Sequence, residues 1–476
     1  FGQDTWRTTP NLTLTLGLRW DPMIPFHDAI GRTQCFVPGA SSTMFPKAPK
    51  GYLNAGDSQC PNGGFNRYLG QIAPRFGFAW RTPDGKSVVR GGFGMFWNPQ
   101  FTTLYNGFVN AAPFSPQVTR FGVRFQDPYE TAGNPFPASF APFKPPQDSA
   151  FFTPLGSFGS FAGNFRPSYM ETFNLTLERE VVRNLVARMS YIGNLGRHLS
   201  YTDDYNYARY TPGASTRDIQ QRRPYQDFAS VLITYADSTS SYHGLQLSVE
   251  RRVSNSFSFE ANYTFSKSID ETSADQTPQN PSQVIPMNLT ANRGVSDFDN
   301  KHRLVASYVW ALPKLDQQNP LIRGTAGGWE FTGITTLRSG FPFSVRSGVD
   351  RAYSGLGSNF ADLVGNPFLD TSRSRADLIA QYFNPAAFVP NREGTFGTAP
   401  RNLMPGPGSV TFDLGLMKNF PIGEKLRLQF RAELFNAFNT PRFGTPYATQ
   451  NVPARFGKIE GASDPRIVQF GLKASF

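Results

Sequence analysis

Four histidines, His27, His198, His243 and His302, are the only imidazoles in the chain, and their spacing is not that of metal ligands. No cysteine or acidic residue completes a metal motif around them. The stretch DFDNKHR offers Asp297, Asp299 and Asn300 as oxygen ligands for calcium, but it lacks the glycine and closing glutamate of a calcium loop. A loop turning into a strand is the simpler reading. GGFGMFW gathers Gly91, Gly92 and Gly94, yet no helix follows whose N-terminus could hold phosphate. There the glycines let a strand bend or a backbone come close. Ser-x-x-Lys occurs only incidentally, and no serine, histidine and aspartate form a nucleophile pattern. These residues point to no enzyme, no metal site and no cofactor.

The chain is long enough, at 476 residues, for two or three ordinary domains or one large all-β body. Aromatic residues reach 14% while charged residues make up only 17%, below the roughly 25% of soluble domains, so part of the surface is not expected to face water. The net charge of +11 comes mainly from arginine, since lysine supplies only 11 of the 46 basic residues. No run of basic residues exceeds a pair, which favours charge spread over loops, and no nucleic-acid partner is expected. No apolar stretch approaches the length of a transmembrane helix, about 18 residues. The opening FGQDTWRTTP reads as part of a folded pattern and not as a signal peptide, so any targeting segment is expected to have been removed or to lie upstream.

The elements carrying these residues have a period of two. Leu12, Leu14, Leu16, Leu18 and Trp20 alternate with Thr13, Thr15, Gly17 and Arg19. Phe257, Phe259, Ala261, Tyr263 and Phe265 alternate with Ser258, Glu260, Asn262 and Thr264, and Val410, Phe412, Leu414 and Leu416 with Thr411, Asp413 and Gly415. Leu426, Leu428, Phe430, Ala432 and Leu434 face away from Arg427, Gln429, Arg431 and Glu433. Similar segments are read near 72–82, 87–97, 168–181, 184–199, 241–253, 300–312, 328–340 and 466–476, with 1–6 as the end of an earlier strand.

What separates these segments alternates between short and long. Tight turns are expected at RTTPN, TPDGK, SNS and PIGEK. Long gaps run over 22–71, 98–167, 200–240, 268–299, 341–408 and 439–464. The gap at 313–327 breaks the rule, being longer than a tight turn. Such gaps argue against a compact soluble domain. They suit an antiparallel transmembrane β-barrel with short periplasmic turns and long extracellular loops. About 12 or 13 strands are expected, the last running toward the periplasm.

Five segments resemble one family. RNLMPGPGSVTFDLGLMKNFPIGEKLRLQFRAELFNAFNTPRFGTP at 401–446 is similar to the end of the Oar-like TonB-dependent outer-membrane receptors. FGQDTWRTTPNLTLTLGLRWD, SYHGLQLSVERR, YTFSKSID and DFDNKHRLVASYVWALP resemble the same family, in order along the chain. The resemblance implies a barrel of about 22 strands, a plug in its lumen and an N-terminal β-sandwich. Neither plug nor coupling box is read here, so the chain is expected to be the C-terminal portion of such a barrel. It also implies a TonB-type energy-coupling partner acting through the plug, and a C-terminal signal read by the barrel-assembly machinery.

That signal falls on Val468, Phe470, Leu472, Ala474 and Phe476, which alternate with Gln469, Gly471, Lys473 and Ser475. A closing strand must offer an apolar outer face and an unpaired backbone edge in any case. Glu250, Glu260, Asp413, Arg427, Arg431 and Glu433 are expected to face the lumen, where charge costs less than toward lipid. Trp20, Trp80, Trp97, Trp310 and Trp329 lie near strand ends, at the expected headgroup level of outer-membrane lipid and lipopolysaccharide. Cys35 and Cys60 share one long gap, and an even cysteine count in an exported loop favours a disulfide over free thiols.

Three functions are consistent with the sequence. The leading expectation is a receptor importing a bulky ligand, captured by loops such as 98–167 and 341–408. A surface protein using the same barrel to display loops for adhesion or assembly is the second, and a soluble extracellular glycan-binding β-protein the third.

Overall fold

The alternating segments become the wall of one sheet. The computed structural model describes every residue except 100–111, 116–123, 128, 131–132, 135, 137–143, 255, 274–283 and 423–425. Along the wall run β1 (Gly2–Thr9), β2 (Leu12–Trp20), β3 (Ile72–Arg81), β4 (Ser87–Trp97), β5 (Tyr169–Val182), β6 (Leu185–Asp204) and β7 (Val231–Ser254). It continues through β8 (Phe257–Asp270), β9 (His302–Ala311), β10 (Trp329–Arg338), β11 (Ser409–Ile422), β12 (Leu426–Phe435) and β13 (Ile467–Ser475). Each of the thirteen pairs with its neighbour in sequence, and no pairing among the described residues joins β1 to β13.

Directly opposed residues of an antiparallel pair share a face, so register sorts the whole wall. Leu12, Leu14 and Leu16 stand opposite Trp80, Phe78 and Phe76, which continue to Val89, Gly91 and Phe93. Val468, Phe470, Leu472 and Ala474 stand opposite Leu434, Ala432, Phe430 and Leu428. Each set forms an apolar patch on one face of the wall. Gly91 is small for a stated reason: a Cβ there would meet Phe78 Cε1 at 2.4 Å, because the ring lies across the strand.

The turns follow their residue chemistry. Thr82 to Lys86 closes β3 onto β4, with Gly85 at φ 70° and the Thr82 hydroxyl bonded to the Asp84 carboxylate. Arg183 and Asn184 close β5 onto β6, with Asn184 at φ 67°. The expected turns SNS and PIGEK include residue 255 and residues 423–425, which lie outside the described residues. Between β9 and β10 a helix, Pro320–Ala326, fills the connection, with Pro at its first turn and the Asn319 side chain accepting from the Ile322 amide.

Two expected loop boundaries are corrected. The gap placed at 200–240 is strand at both ends, because β6 continues to Asp204 and β7 begins at Val231. Val231, Leu232, Ile233 and Thr234 are buried, and a strand covered on both faces carries no alternation to read. Phe158–Phe161 pairs with them in parallel, adding a strand within the gap placed at 98–167.

Beyond the wall, described residues of the long connections pack into cores of their own. Phe36, Phe45, Tyr52, Phe114, Phe158 and Phe228 form one aromatic core. Phe343, Val345, Phe383, Phe388 and Met404 form a second.

Candidate functional site

The polar face of the wall holds all six charged residues expected to point inward. Glu250 opposes Glu260, Glu260 opposes Ser307, Ser307 opposes Ile334 and Ile334 opposes Asp413. Glu433, Arg431 and Arg427 oppose Gly415, Met417 and Pro421, at two-residue steps from Asp413. The six therefore share one face. Glu250, Glu260, Asp413 and Glu433 border a single open recess of about 710 Å³ with Ser307 and Thr332. Among the described residues, no three His, Cys, Asp or Glu side chains gather as a metal site.

The first packed cap is organised around Asp57 and the cysteines. Cys35 and Cys60 bring their Cα atoms to 5.6 Å, and their sulfurs are joined. Asp57 accepts from Ser42 Oγ at 2.6 Å, Thr43 N and Oγ1 at 2.7 Å each, Met44 N at 3.1 Å and Asn54 N at 2.9 Å. Burial pushes its carboxyl up, but these donors outweigh burial and hold it below the usual carboxylate range.

Deeper in the same cap, two adjacent carboxylates are buried. Asp204 pairs with Arg223 Nη1 at 3.1 Å and accepts from the Val231 amide at 3.0 Å. Asp203 accepts from the Met287 amide, while its Oδ1 has no hydrogen-bond partner among the described residues. Desolvation pushes Asp203 up to about 7, with the Asp204 charge adding to it and the Met287 donor opposing it.

The second cap meets the 271–301 connection around Arg401. This buried guanidinium bonds the Asp270 carboxylate, the Asp297 carboxylate at 3.2 Å and the Asn292 carbonyl at 2.8 Å. The two carboxylates of DFDNKHR are engaged with protein groups, while Asn300 Oδ1 is buried without a hydrogen-bond partner among the described residues. Asp297 holds Arg401, Asp299 accepts from the Ser268 amide at 2.6 Å, and Asn300 donates to the Ser339 carbonyl at 2.9 Å. A recess of about 400 Å³ opens beside them, lined by Glu271, Asn292, Asp297, Arg346, Arg401 and Asn402. Arg346 lies over the Phe360 ring at 5.4 Å and donates to the Ser358 carbonyl at 3.2 Å. Burial lowers its pKa, with Asp297 opposing the shift.

A family model described as an outer membrane beta barrel domain matches residues 1–469. The chain belongs to that family. The protein is accordingly a bacterial outer-membrane barrel protein, and its apolar wall faces lipid. Comparison with curated proteins gave no match.

Among solved structures, the chain is similar to the outer membrane transporter YddB from Escherichia coli at 10% identity and TM-score 0.47, over 98% of this chain and 43% of that one. It is similar to the ferripyoverdine receptor of Pseudomonas aeruginosa at 11% identity and TM-score 0.43, over 99% and 37%. For BauA, the ferric preacinetobactin receptor from Acinetobacter baumannii, the values are 10%, 0.42, 99% and 42%. The chain spans about two-fifths of the length of these structures.

The wall also orders the tryptophans by height. Trp20 and Trp97 stand at the long-connection end, and Trp80, Trp310 and Trp329 at the turn end. Register puts all five on the barrel's lipid face. The sequence did not disclose Asp203 or Arg401, whose partners lie far along the chain, nor Asp57 or Arg346, whose partners are nearer but follow no local motif. For Asp57, YLNAGD carried a turn signal only.

Proposed function

We propose that this barrel is the C-terminal portion of a TonB-dependent receptor that imports a bulky ligand. The observation that carries the reading is the thirteen-stranded meander whose long connections fold into two caps at one end, above a polar, carboxylate-lined face. The family resemblance implies a plug, and the charged row of Glu250, Glu260, Asp413 and Glu433 would supply polar surface for one. The ordered family segments of the sequence support the same reading. A TonB-type energy-coupling protein would act through the plug, lipopolysaccharide would surround the loop end, and the barrel-assembly machinery would read the strand ending at Phe476.

The test compares cells making the full-length protein with a deletion strain. Energised import predicts depletion of a ligand from the medium that stops when a protonophore collapses the proton gradient. Depletion that continues without the gradient would indicate passive passage instead.

A second reading is loop display for adhesion or assembly. It is favoured by the recesses at the loop end, whose volumes of about 550 and 400 Å³ are small for a bulky ligand. Under this reading no depletion occurs in either state, while removal of the caps abolishes surface attachment.

A further inference from the structure

The connection between β9 and β10 is the one turn-side connection that carries a helix among the described residues, and two side chains of the lipid face hold that helix. Trp329 Nε1 donates to the Thr325 carbonyl at 2.9 Å. Lys418 Nζ donates to the Gly327 carbonyl and lies 5.5 Å from the Trp329 ring and 5.3 Å from the Phe420 ring. Register puts Lys418 opposite Trp329 on one side and Phe430 on the other, so its Cα belongs to the lipid face. Charge on that face is costly at mid-membrane and cheaper near the boundary. Here the ammonium is buried under the end of the connection.

The helix is therefore tethered on the outer side of the wall, at its periplasmic rim. Two large apolar side chains stand out on it: Leu321 is 75% exposed and Ile322 is exposed as well. Lys314 and Arg323, both exposed, lie on the same connection. Gly327 permits the tight closure, because a Cβ there would stand 2.1 Å from the Lys314 carbonyl oxygen.

We propose that the helix Pro320–Ala326 forms a membrane-interface anchor that inserts Leu321 and Ile322 at the headgroup boundary of the periplasmic leaflet, with Lys314 and Arg323 near phospholipid phosphates. Three features select phospholipid as the occupant: continuity with the lipid face, the indoles of Trp310 and Trp329 at the same rim, and basic charge beside exposed aliphatic groups. The inference rests on the barrel wall and not on ligand import.

The experiment places a nitroxide at Leu321→Cys in the full-length protein, in nanodiscs of phosphatidylethanolamine and phosphatidylglycerol. Collision rates with oxygen and with an aqueous nickel chelate are then compared. Labels at Leu175→Cys on the lipid face and Gln317→Cys on the exposed connection bracket the scale. The anchor predicts an oxygen-to-nickel ratio at Leu321 several-fold above that at Gln317 and approaching that at Leu175. A Leu321 ratio equal to that of Gln317, with Leu175 in lipid, overturns the anchor alone. An aqueous reading at Leu175 overturns the wall assignment and the anchor with it.

Discussion

Asp203 accepts a hydrogen bond from the Met287 amide at 2.5 Å, joining the end of β6 to the 271–301 connection through residues 84 positions apart. The bond lies well outside the membrane. Strand β6 rises about 3.3 Å per residue, so with a tilt near 45° Asp203 stands on the order of 40 Å from its turn, past an apolar band roughly 25 Å tall.

That position makes the cap sensitive to pH. Desolvation raises the Asp203 carboxyl to about 7 in the folded protein, while an unfolded aspartate titrates near ~3.9. The folded state binds this proton more tightly, so the contribution to stability is complete below pH ~4 and is lost as pH rises through about 7. Asp203→Asn keeps an acceptor for Met287 and removes the charge. It should gain on the order of 4 kcal/mol over the parent at pH 8 relative to pH 4. Cap unfolding followed by denaturant titration at both pH values checks this, and a difference independent of pH would sink it.

Asp57 has the opposite sign. Its carboxyl is held below the usual range, so it stabilises the cap at neutral pH and the contribution is lost as pH falls below about 4. Asp57→Ala strands the amides of Thr43, Met44 and Asn54 and should cost about 3 kcal/mol of local stability. Limited proteolysis at pH 7 should then cut within 33–60 at low protease, where the parent resists. Equal resistance would show that the donors find water without loosening the loop.

The cysteine pair is tested by chemistry. With 24 residues between Cys35 and Cys60, a disulfide should contribute about 3 kcal/mol by limiting the unfolded loop. Freshly purified protein should take up no alkylating reagent without reductant, and two equivalents after reduction and unfolding. Ready alkylation of both thiols in the native protein would refute the pairing. Reduction should also loosen Phe36, which follows Cys35 and packs edge-on against Phe228 at 5.4 Å.

The wall was legible because one face meets lipid and the other does not, which writes a period of two into LTLTLGLRW and KLRLQFRAELF. The caps were not. Phe36, Phe158 and Phe228 meet in one core from three separate connections, and no local pattern records such a meeting. Val231 to Thr234 were missed because both faces are covered, whereas Asn319 and Pro320 did carry a helix-start signal within the odd gap. Lys418 also left a trace, as a charge in an apolar register position after Leu416.

The last prediction concerns the two outer strands. An edge left open in hydrocarbon costs several kcal/mol for each unpaired N–H or C=O, so β1 and β13 each require a partner. In the structure they are not paired with each other. We propose that their partners are further strands of a wider barrel. Cysteines placed pairwise at Gln3, Thr5 or Arg7 and at Gln469, Gly471 or Lys473, all on the polar face, should then give no cross-linked peptides on oxidation. Gln429→Cys with Lys473→Cys, directly opposed across β12 and β13, should cross-link and serves as the positive control. Efficient linkage of β1 to β13 would show that thirteen strands close alone. The lumen would then be too narrow for a full plug, and loop display would replace import as the better reading.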